Sequence, residues 1–375
     1  MSWSDRLLAV RDRWLSNPRF QRWAAAFPLT RPTARRRARA LFDVCAGFVY
    51  SQILFACVRL KLFELLAAEP LSAANIAVRL NLPLDSTSRL LDAAESLRLV
   101  ERRGADRFGL GDLGAALVGN PAVGAMIEHH SLLYADLSDP VGLLRGNGRQ
   151  TELAKYWAYA TSDRPASLAG AQTAEYTALM ASSQPLVAGE ILNAFPLAKH
   201  QCLLDVGGGD GTFLVEASQH APNLNLILFD LPPVAERAAK RFESLGLAAR
   251  ARTVGGDFRN DALPVGADVI SLVRVVHDHD DATVATLLRA AYRALPPKGV
   301  LLLAEPMMET PGAEPVGSAY FGFYLLAMGS GKPRSPAELR QMLLGAGFAS
   351  TQLLHTHQPL QTRLIVARKA AGKSN

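Results

Sequence analysis

The stretch from Cys202 to Phe213 places four glycines directly after a short apolar segment. It reads Cys-Leu-Leu-Asp-Val-Gly-Gly-Gly-Asp-Gly-Thr-Phe. The apolar residues predict a buried strand, and the glycines predict a sharp turn into a helix, where a Cβ would clash. The glycines would also let a ligand lie against the main chain. Asp205 places a carboxylate at the end of the strand, where a buried charge needs a partner.

The glycine spacing differs from the dinucleotide-binding fingerprint. That fingerprint requires G-x-G-x-x-G, whereas Gly207-x-Gly209-x-Gly211 is followed here by Thr212. An acidic residue ahead of the turn also suits a cationic ligand without phosphate better than a pyrophosphate. The glycine turn therefore indicates a ligand site of another kind.

Strands and helices alternate from Gln201 onward, which predicts a mostly parallel sheet with helices on both faces. In such sheets ligands bind outside the carboxyl ends of the strands. Five successive predicted strands end in functional groups: Asp205 with its glycines, Asp230, Asp257, His277 with Asp278, and Glu305. The sequence therefore predicts one site at this edge.

Each of these groups has a plausible chemical role. Asp230 lies about 20 residues past the glycines, where an acceptor for ribose hydroxyls belongs. Asp257 could accept from an adenine amino group, and Phe258 offers a face to the ring. His277 could take a proton from a hydroxyl, with Glu305 holding its imidazole. The alternatives are an ordinary turn or loop aspartate and a structural histidine.

The N-terminal region differs in charge from the rest of the chain. Residues 1–40 hold ten arginines and two aspartates, which gives this region a charge of +8. Since the whole chain has a net charge of +6, the other 335 residues sum to −2. Residues 1–37 are expected to form a basic arm of two amphipathic helices broken at Asn17-Pro18. Arginines and tryptophans in this pattern are typical of segments on an anionic membrane, although packing on a partner subunit is the alternative.

The 375 residues suggest more than one domain. No uninterrupted apolar stretch of about 18 residues occurs, so we expect no transmembrane helix. The three cysteines lack metal-ligand spacing, which predicts no metal site and fits a reducing cytoplasm.

Residues 38–120 are predicted to be a winged-helix domain. A nearly all-apolar helical stretch, residues 38–68, should be buried, and a subunit interface could bury it. The winged helix-turn-helix pattern of residues 71–110, with its hairpin at residues 101–110, suggests DNA binding, but the mixed charge of the helix from Asp85 disfavours nucleic acid. Residues 121–200 are predicted to be a helical linker with a turn at Gly146-Asn147-Gly148, and their aromatic residues could line a hydrophobic pocket.

Taken together, these features resemble the S-adenosylmethionine (SAM)-dependent O-methyltransferases that carry an N-terminal winged-helix dimerisation domain. The matching motifs are Leu204–Gly211, Phe229–Pro232, Gly256–Phe258 and Val276–Asp278. The resemblance implies a Rossmann-like catalytic domain over residues 201–375, a homodimer, His277 as the catalytic base and Glu305 as its partner. It also implies that the cofactor contacts Asp205, Gly207, Gly209, Asp230, Leu231, Asp257, Phe258 and Arg274; many family members have lysine at the Arg274 position.

Residues 40–52 and the basic arm are similar to the carotenoid O-methyltransferases of purple photosynthetic bacteria. Those enzymes methylate the tertiary hydroxyl of hydroxyneurosporene and demethylspheroidene, which implies a hydrophobic substrate and a place in the cytoplasm or on the photosynthetic membrane. Met180, Phe321 and Tyr324 are candidates for the substrate pocket. A phenol, a quinone-like ring or a tetrapyrrole is the alternative acceptor, and a winged-helix ligand-sensing regulator is the alternative from another class.

The chain departs from the family pattern at two places. His279 follows His277-Asp278 where the family often has tryptophan, and Gly331-Lys332-Pro333-Arg334-Ser335 replaces Gly-x-Glu-Arg-Thr. These departures predict that His277 lacks a second acidic flank.

Overall fold

The computed structural model describes residues 2–146, 150–162 and 170–372. The contacts divide the chain into two units that meet in sequence between Asn120 and Pro121. Most of the turn predicted at Gly146-Asn147-Gly148 lies outside the described residues.

The first unit begins with two short helices, α1 (Trp3–Leu15) and α2 (Pro18–Ala26). The Asn17 side chain accepts hydrogen bonds from the backbone N–H groups of Arg19 and Phe20, and Pro18 occupies the first helical position. An asparagine cap followed by proline is a favourable helix start, so the break predicted at Asn17-Pro18 is confirmed.

The long apolar stretch forms α3 (Arg31–Arg59), followed by α4 (Leu62–Ala68). Helix α3 is continuous through Gly47, because one glycine weakens a long helix without breaking it. The predicted burial is not provided by this chain: Leu41, Phe42, Val44 and Phe48 are 63–81% exposed. An apolar surface of this kind usually marks an interaction site.

Helix α3 is also the one helix in the described part of the chain that is long and apolar enough to cross a membrane. The expectation of no transmembrane helix counted only uninterrupted apolar residues, and it stays a prediction. Length and composition alone are weak evidence, because signal sequences and core helices meet the same criterion.

The rest of the first unit has the predicted winged-helix order. Its three strands pair antiparallel in the order β1-β3-β2. Arg102 on β2 donates to Asp92 and Glu95 of α6 at 2.7 and 3.0 Å. These carboxylates are thus engaged inside the unit. The elements are β1 (Leu71–Ser72), α5 (Ala73–Leu80), α6 (Leu84–Ser96), β2 (Val100–Arg103), β3 (Arg107–Leu110) and α7 (Asp112–Val118).

The second unit opens with helices, as predicted for residues 121–200. They are α8 (Pro121–Asp136), α9 (Pro140–Leu144), α10 (Glu152–Tyr156), α11 (Ala158–Thr161) and α12 (Gly170–Ala194).

A seven-stranded sheet follows, in the order β6-β5-β4-β7-β8-β10-β9. Neighbours from β6 to β8 are parallel, whereas β10 is antiparallel to both β8 and β9. The strands are β4 (Cys202–Val206), β5 (Asn225–Asp230), β6 (Ala251–Gly255), β7 (Val269–Val273), β8 (Val300–Glu305), β9 (Ser350–Leu354) and β10 (Arg363–Arg368); the helices are α13 (Thr212–His220), α14 (Pro232–Ser244), α15 (Asp281–Ala294), α16 (Gly322–Met328) and α17 (Pro336–Gly345).

Three local features were not predicted from the sequence. Strand β7 ends at Val273, before His277-Asp278, because Arg274 adopts a left-handed backbone (φ 57°) and turns the chain. Strand β9 begins with the polar residues Ser350, Thr351 and Gln352 and lies at the sheet edge. The stretch after Glu305 contains a π-helix, Val316–Phe321, that leads into α16.

Helices cover both faces of the sheet because successive strand residues point to opposite sides. Leu203 of β4 packs in one cluster with Phe213 of α13 and Phe242 of α14. Its neighbour Leu204 packs in the other cluster, with Leu287 of α15 and Leu339 of α17. The continuous apolar sequence of β4 is thus the pattern expected of a central parallel strand.

Gly211, at the start of α13, combines a left-handed backbone (φ 82°) with close packing: a Cβ there would lie 2.5 Å from the Phe242 ring. Gly246 has a similar φ of 71° but no atom within 4 Å of an added Cβ. Gly246→Ala should cost about 1–2 kcal/mol of backbone strain. Gly211→Ala should cost about 1–3 kcal/mol more because of overpacking. Equilibrium denaturation of both variants would measure this difference, and equal losses would contradict it.

Candidate active site

The glycine turn after β4 is held to the end of β5 by Asp230. The backbone N–H of Gly209 donates to Asp230 Oδ2 at 2.8 Å, and the N–H of Leu231 donates to Oδ1 at 2.7 Å. A carboxylate has about four acceptor positions, and these two bonds from described residues leave room for a ligand's hydroxyl groups. Burial raises the pKa of Asp230 to about 6, although the two backbone bonds oppose this rise.

Asp205 lies behind the glycine turn and does not line the cavity described below. Its Oδ1 accepts from Ser271 Oγ at 2.6 Å, while Oδ2 is buried without a partner among the described residues. Burial raises the pKa of Asp205 to about 7. The partner that the sequence analysis required is therefore a serine hydroxyl on the neighbouring strand β7.

Asp257 and Phe258 follow β6 and both line the cavity. Both oxygens of Asp257 accept from Arg259, at 2.9–3.1 Å, an interaction the sequence did not predict. A contact between Asp257 and an adenine amino group would have to share these acceptors, and it stays a prediction. The Phe258 ring lies 5.2 Å from the ring of His279.

Arg274 also lines the cavity, but its guanidinium is bonded to helix α12. It donates to Ser183 Oγ at 2.7 Å, to the carbonyl of Met180 at 2.9 Å and to Gln184 Oε1. Burial lowers the pKa of Arg274 to about 10, so the side chain remains charged at neutral pH. The guanidinium thereby fixes the part of α12 that carries Met180.

His277 lies in a single 3-10 turn, Val276–Asp278, that follows Arg274. Glu305, at the end of the adjacent strand β8, accepts through Oε2 from the backbone N–H of His277 at 3.0 Å. The same oxygen lies 3.3 Å from His277 Nδ1. Glu305 is fully buried and does not line the cavity, so it contacts the imidazole from behind.

Asp278 flanks the other ring nitrogen, with Oδ1 3.3 Å from His277 Nε2. Its Oδ2 accepts from the hydroxyl of Tyr159 at 2.7 Å. The prediction that His277 lacks a second acidic flank is therefore wrong: the next residue supplies it, because the tight turn brings both side chains to one side. Burial alone would lower the pKa of His277, but Asp278 and Glu305 raise it above its ordinary value.

The three pocket candidates, Met180, Phe321 and Tyr324, lie on the wall of the same cavity, of about 490 Å³. The Tyr324 hydroxyl accepts from Trp157 Nε1 at 2.8 Å and bonds His129 Nε2 at 2.7 Å. Burial lowers the pKa of His129 to about 4, so this histidine is neutral. These buried hydrogen bonds therefore fix the position of Tyr324 in the aromatic wall of the cavity.

The structure brings most of the predicted site residues to one cavity, with Asp205 and Glu305 immediately behind its wall. The sequence analysis missed the contacts of Tyr159, His129 and Arg259. The aromatic-rich segment before α12 was the available signal for Tyr159. Among the described residues, no cluster of His, Cys, Asp and Glu could hold a metal ion.

Comparison with known families gives two matches that follow one another along the chain. Residues 42–120 match the O-methyltransferase dimerisation domain, and residues 135–349 match the O-methyltransferase domain.

Similar curated proteins include demethylspheroidene O-methyltransferases of two bacteria. That of Cereibacter sphaeroides is 40% identical over 95% of this chain and 93% of its own length. That of Rhodobacter capsulatus is also 40% identical, over 91% and 85%. Acetylserotonin O-methyltransferase of Mus musculus is 30% identical over 90% of each chain.

Among solved structures, human N-acetylserotonin methyltransferase in complex with SAM superposes with a TM-score of 0.72. The identity is 26%, and the match covers 89% of this chain and 98% of the other.

The residues present fit SAM. The open glycine turn, the spare acceptor positions on Asp230 and the apolar face of Phe258 suit a ligand with a ribose, a purine ring and a positive charge. The same conclusion follows from the two domain matches and from the 40% identity to named O-methyltransferases. The chain therefore belongs to the SAM-dependent O-methyltransferase family and is an enzyme of that class.

Proposed function

We propose that this enzyme methylates the tertiary hydroxyl of an acyclic hydroxycarotenoid of the hydroxyneurosporene or demethylspheroidene type, with His277 as the general base. The identity to two demethylspheroidene O-methyltransferases supports the substrate class. The observation that carries the mechanism is the position of His277, which lies on the cavity wall between two carboxylates.

When bound, SAM supplies a methyl group on a positively charged sulfur, and the protein's task is alignment and proton removal. In the neutral imidazole of His277, Nδ1 would carry the hydrogen and donate a hydrogen bond to Glu305. Nε2 is then left to accept the proton of the substrate hydroxyl. Asp278, 3.3 Å from Nε2, stabilises the imidazolium that results.

Proton removal should accompany methyl transfer instead of preceding it. Each unit of pKa mismatch costs about 1.36 kcal/mol, so a free alkoxide ten units above the base would cost about 14 kcal/mol. The carboxylates raise the pKa of His277 and narrow this gap, but they do not close it.

The remaining cavity residues divide between the two ligands. The glycine turn, Asp230 and Leu231 are proposed to hold the ribose side of the cofactor, and Asp257 and Phe258 the adenine. Arg274 is also proposed to contact the cofactor, while its hydrogen bonds to α12 hold its guanidinium in position. Met180, Phe321 and Tyr324 are proposed to bind the acceptor.

The match to a dimerisation domain supports a homodimer, in which a second copy would cover the apolar surface of α3. We propose that the enzyme is cytoplasmic and contacts an anionic membrane through residues 1–37, because a carotenoid substrate dissolves in lipid. Trp3 and Trp14 are 81% and 56% exposed in α1, beside arginines. This pattern fits an interfacial helix. We propose no role in nucleic-acid binding.

A phenol, quinone-like ring or tetrapyrrole is the second candidate acceptor. The specific observation in its favour is the aromatic wall formed by Trp157, Phe321 and Tyr324, which could stack on a planar ring.

The first test is transfer of labelled methyl from SAM to a panel of hydroxylated carotenoids and phenols. The tertiary carotenoid alcohols should be the best acceptors, and a preference for phenols would favour the second candidate.

His277→Ala should bind the cofactor with nearly unchanged affinity but lose about 10²–10⁴-fold in kcat.

His200→Ala is the matched control, since His200 is a partly buried histidine bonded to Asp268 and does not line the cavity. It should keep kcat. Near-normal turnover by His277→Ala would remove His277 from the base role.

Cofactor binding should weaken as the pH falls through the pKa of Asp230, about 6, because protonation removes an acceptor position from the carboxylate. Isothermal titration with S-adenosylhomocysteine between pH 5 and about 8 would measure this, since the product cannot react. Asp230→Asn should bind about 10–100-fold more weakly and lose that pH dependence, given about 1.5–3 kcal/mol for bonds to a charged group. An unchanged pH dependence in Asp230→Asn would contradict the role of Asp230.

Vesicle co-sedimentation tests the membrane proposal. The full chain should bind vesicles with anionic lipid more strongly than zwitterionic ones, and salt should weaken the binding. The double variant Trp3→Glu and Trp14→Glu should lose it. Val265→Glu changes another strongly exposed apolar residue, in the second unit, and should not lose the binding. Equal binding by both variants would refute the role of the arm.

A further inference from the structure

A second segment of the chain donates hydrogen bonds to the carbonyl groups of the turn that carries His277. We call residues 276–279 the histidine turn and residues 330–335 the support segment. The backbone N–H of Lys332 donates to the carbonyl of His277 at 3.0 Å, and Ser330 Oγ donates to the carbonyl of Asp278 at 2.7 Å. Arg334 donates to the other two carbonyls of the turn.

Arg334 engages all five of its N–H donors. Nη1 donates to the carbonyls of Val276 and Lys332 at 3.1 and 3.3 Å. Nη2 donates to the carbonyl of His279 and to Asp281 Oδ1, both at 2.8 Å, and Nε donates to the same oxygen of Asp281 at 2.9 Å. The side chain is 1% exposed, so Asp281 is the partner that its buried charge requires.

The approach of the two segments leaves no space for a side chain at Gly331. Its φ is 80°, and a Cβ there would lie 2.1 Å from the carbonyl oxygen of His277. The main chains are therefore in direct contact, and a shift of the support segment must be transmitted to the turn.

The histidine turn needs partners for its carbonyl groups from another segment. It is one 3-10 turn that follows the left-handed residue Arg274, and its internal bond runs from the N–H of His279 to the carbonyl of Val276, at a long 3.3 Å. Glu305 holds the turn through the N–H of His277, whereas the support segment holds it through its carbonyls. Catalytic geometry tolerates little movement, since a displacement of about 1 Å can cost 10²-fold in rate.

We propose that Arg334 is a positioning residue for the methyl-transfer reaction: its guanidinium fixes the main chain of residues 276–279 so that the imidazole of His277 stays between Glu305 and Asp278 on the cavity wall. Arg334 does not line the cavity, so it is placed to act on the reaction through the turn. The inference rests on the proposed role of His277 as the base.

Arg334→Lys tests it, because an ammonium has three donors and cannot reproduce the planar fork. We expect kcat to fall about 10–100-fold with little change in cofactor affinity. The imidazole resonances of His277 should titrate at a lower pH than in the unmodified enzyme, since the two carboxylates would no longer be held against the ring.

Arg250→Lys is the matched control. Arg250 is a partly buried arginine that also donates to main-chain carbonyls, those of Ser218, Ala221 and Leu224, at 3.0–3.5 Å, but these carbonyls are not part of the histidine turn. It should lose stability comparably while keeping kcat and the titration of His277. For Arg334→Ala, millimolar guanidinium should restore part of kcat and leave KM for SAM unchanged.

The outcomes separate this inference from the proposed function. If His277→Ala loses turnover but Arg334→Lys matches Arg250→Lys in kcat and in the His277 titration, the positioning role is refuted. If His277→Ala keeps turnover, the base proposal fails, and the NMR titration alone then decides whether Arg334 positions the turn. Folding of each variant is checked by circular dichroism, and guanidinium rescue distinguishes lost positioning from general destabilisation.

Discussion

The buried contact between His277 and Glu305 is the interaction on which the site depends. Glu305 ends strand β8, and one of its oxygens accepts from the backbone of His277 and lies against its imidazole. A fully buried carboxylate is costly unless it is paired. The parallel pairing of β7 with β8 brings the two residues together, so the sheet register itself sets the position of the candidate base. The cavity forms where these strand ends meet the glycine turn.

Much of the second unit could be predicted from sequence because its signals are local. The glycine turn, the continuous apolar strands and the polar residues at their ends each follow from a few adjacent residues. The same signals led to Asp230, Phe258 and His277, which the structure places on one cavity. The family assignment rested on these motifs, and the comparisons confirm it.

The rest could not be predicted because it depends on contacts between distant segments. Arg334 lies 57 positions after His277, and only the fold reveals that its guanidinium supports the histidine turn. Arg259 occupies the carboxylate of Asp257, which the sequence analysis had assigned entirely to a ligand. Asp278 was misjudged for another reason: one left-handed residue, Arg274, shortens β7 and brings Asp278 against the ring of its neighbour. Backbone reversals at a non-glycine residue carry no clear sequence signal.

Helix α3 has a consequence for how the protein behaves on dilution. Its apolar residues face water in a single chain, and the family's dimerisation domain begins within it. When folding is linked to association, stability follows protomer concentration by mass action. Specific activity should then decline at assay concentrations below the dissociation constant, and storage at high protein concentration should slow inactivation.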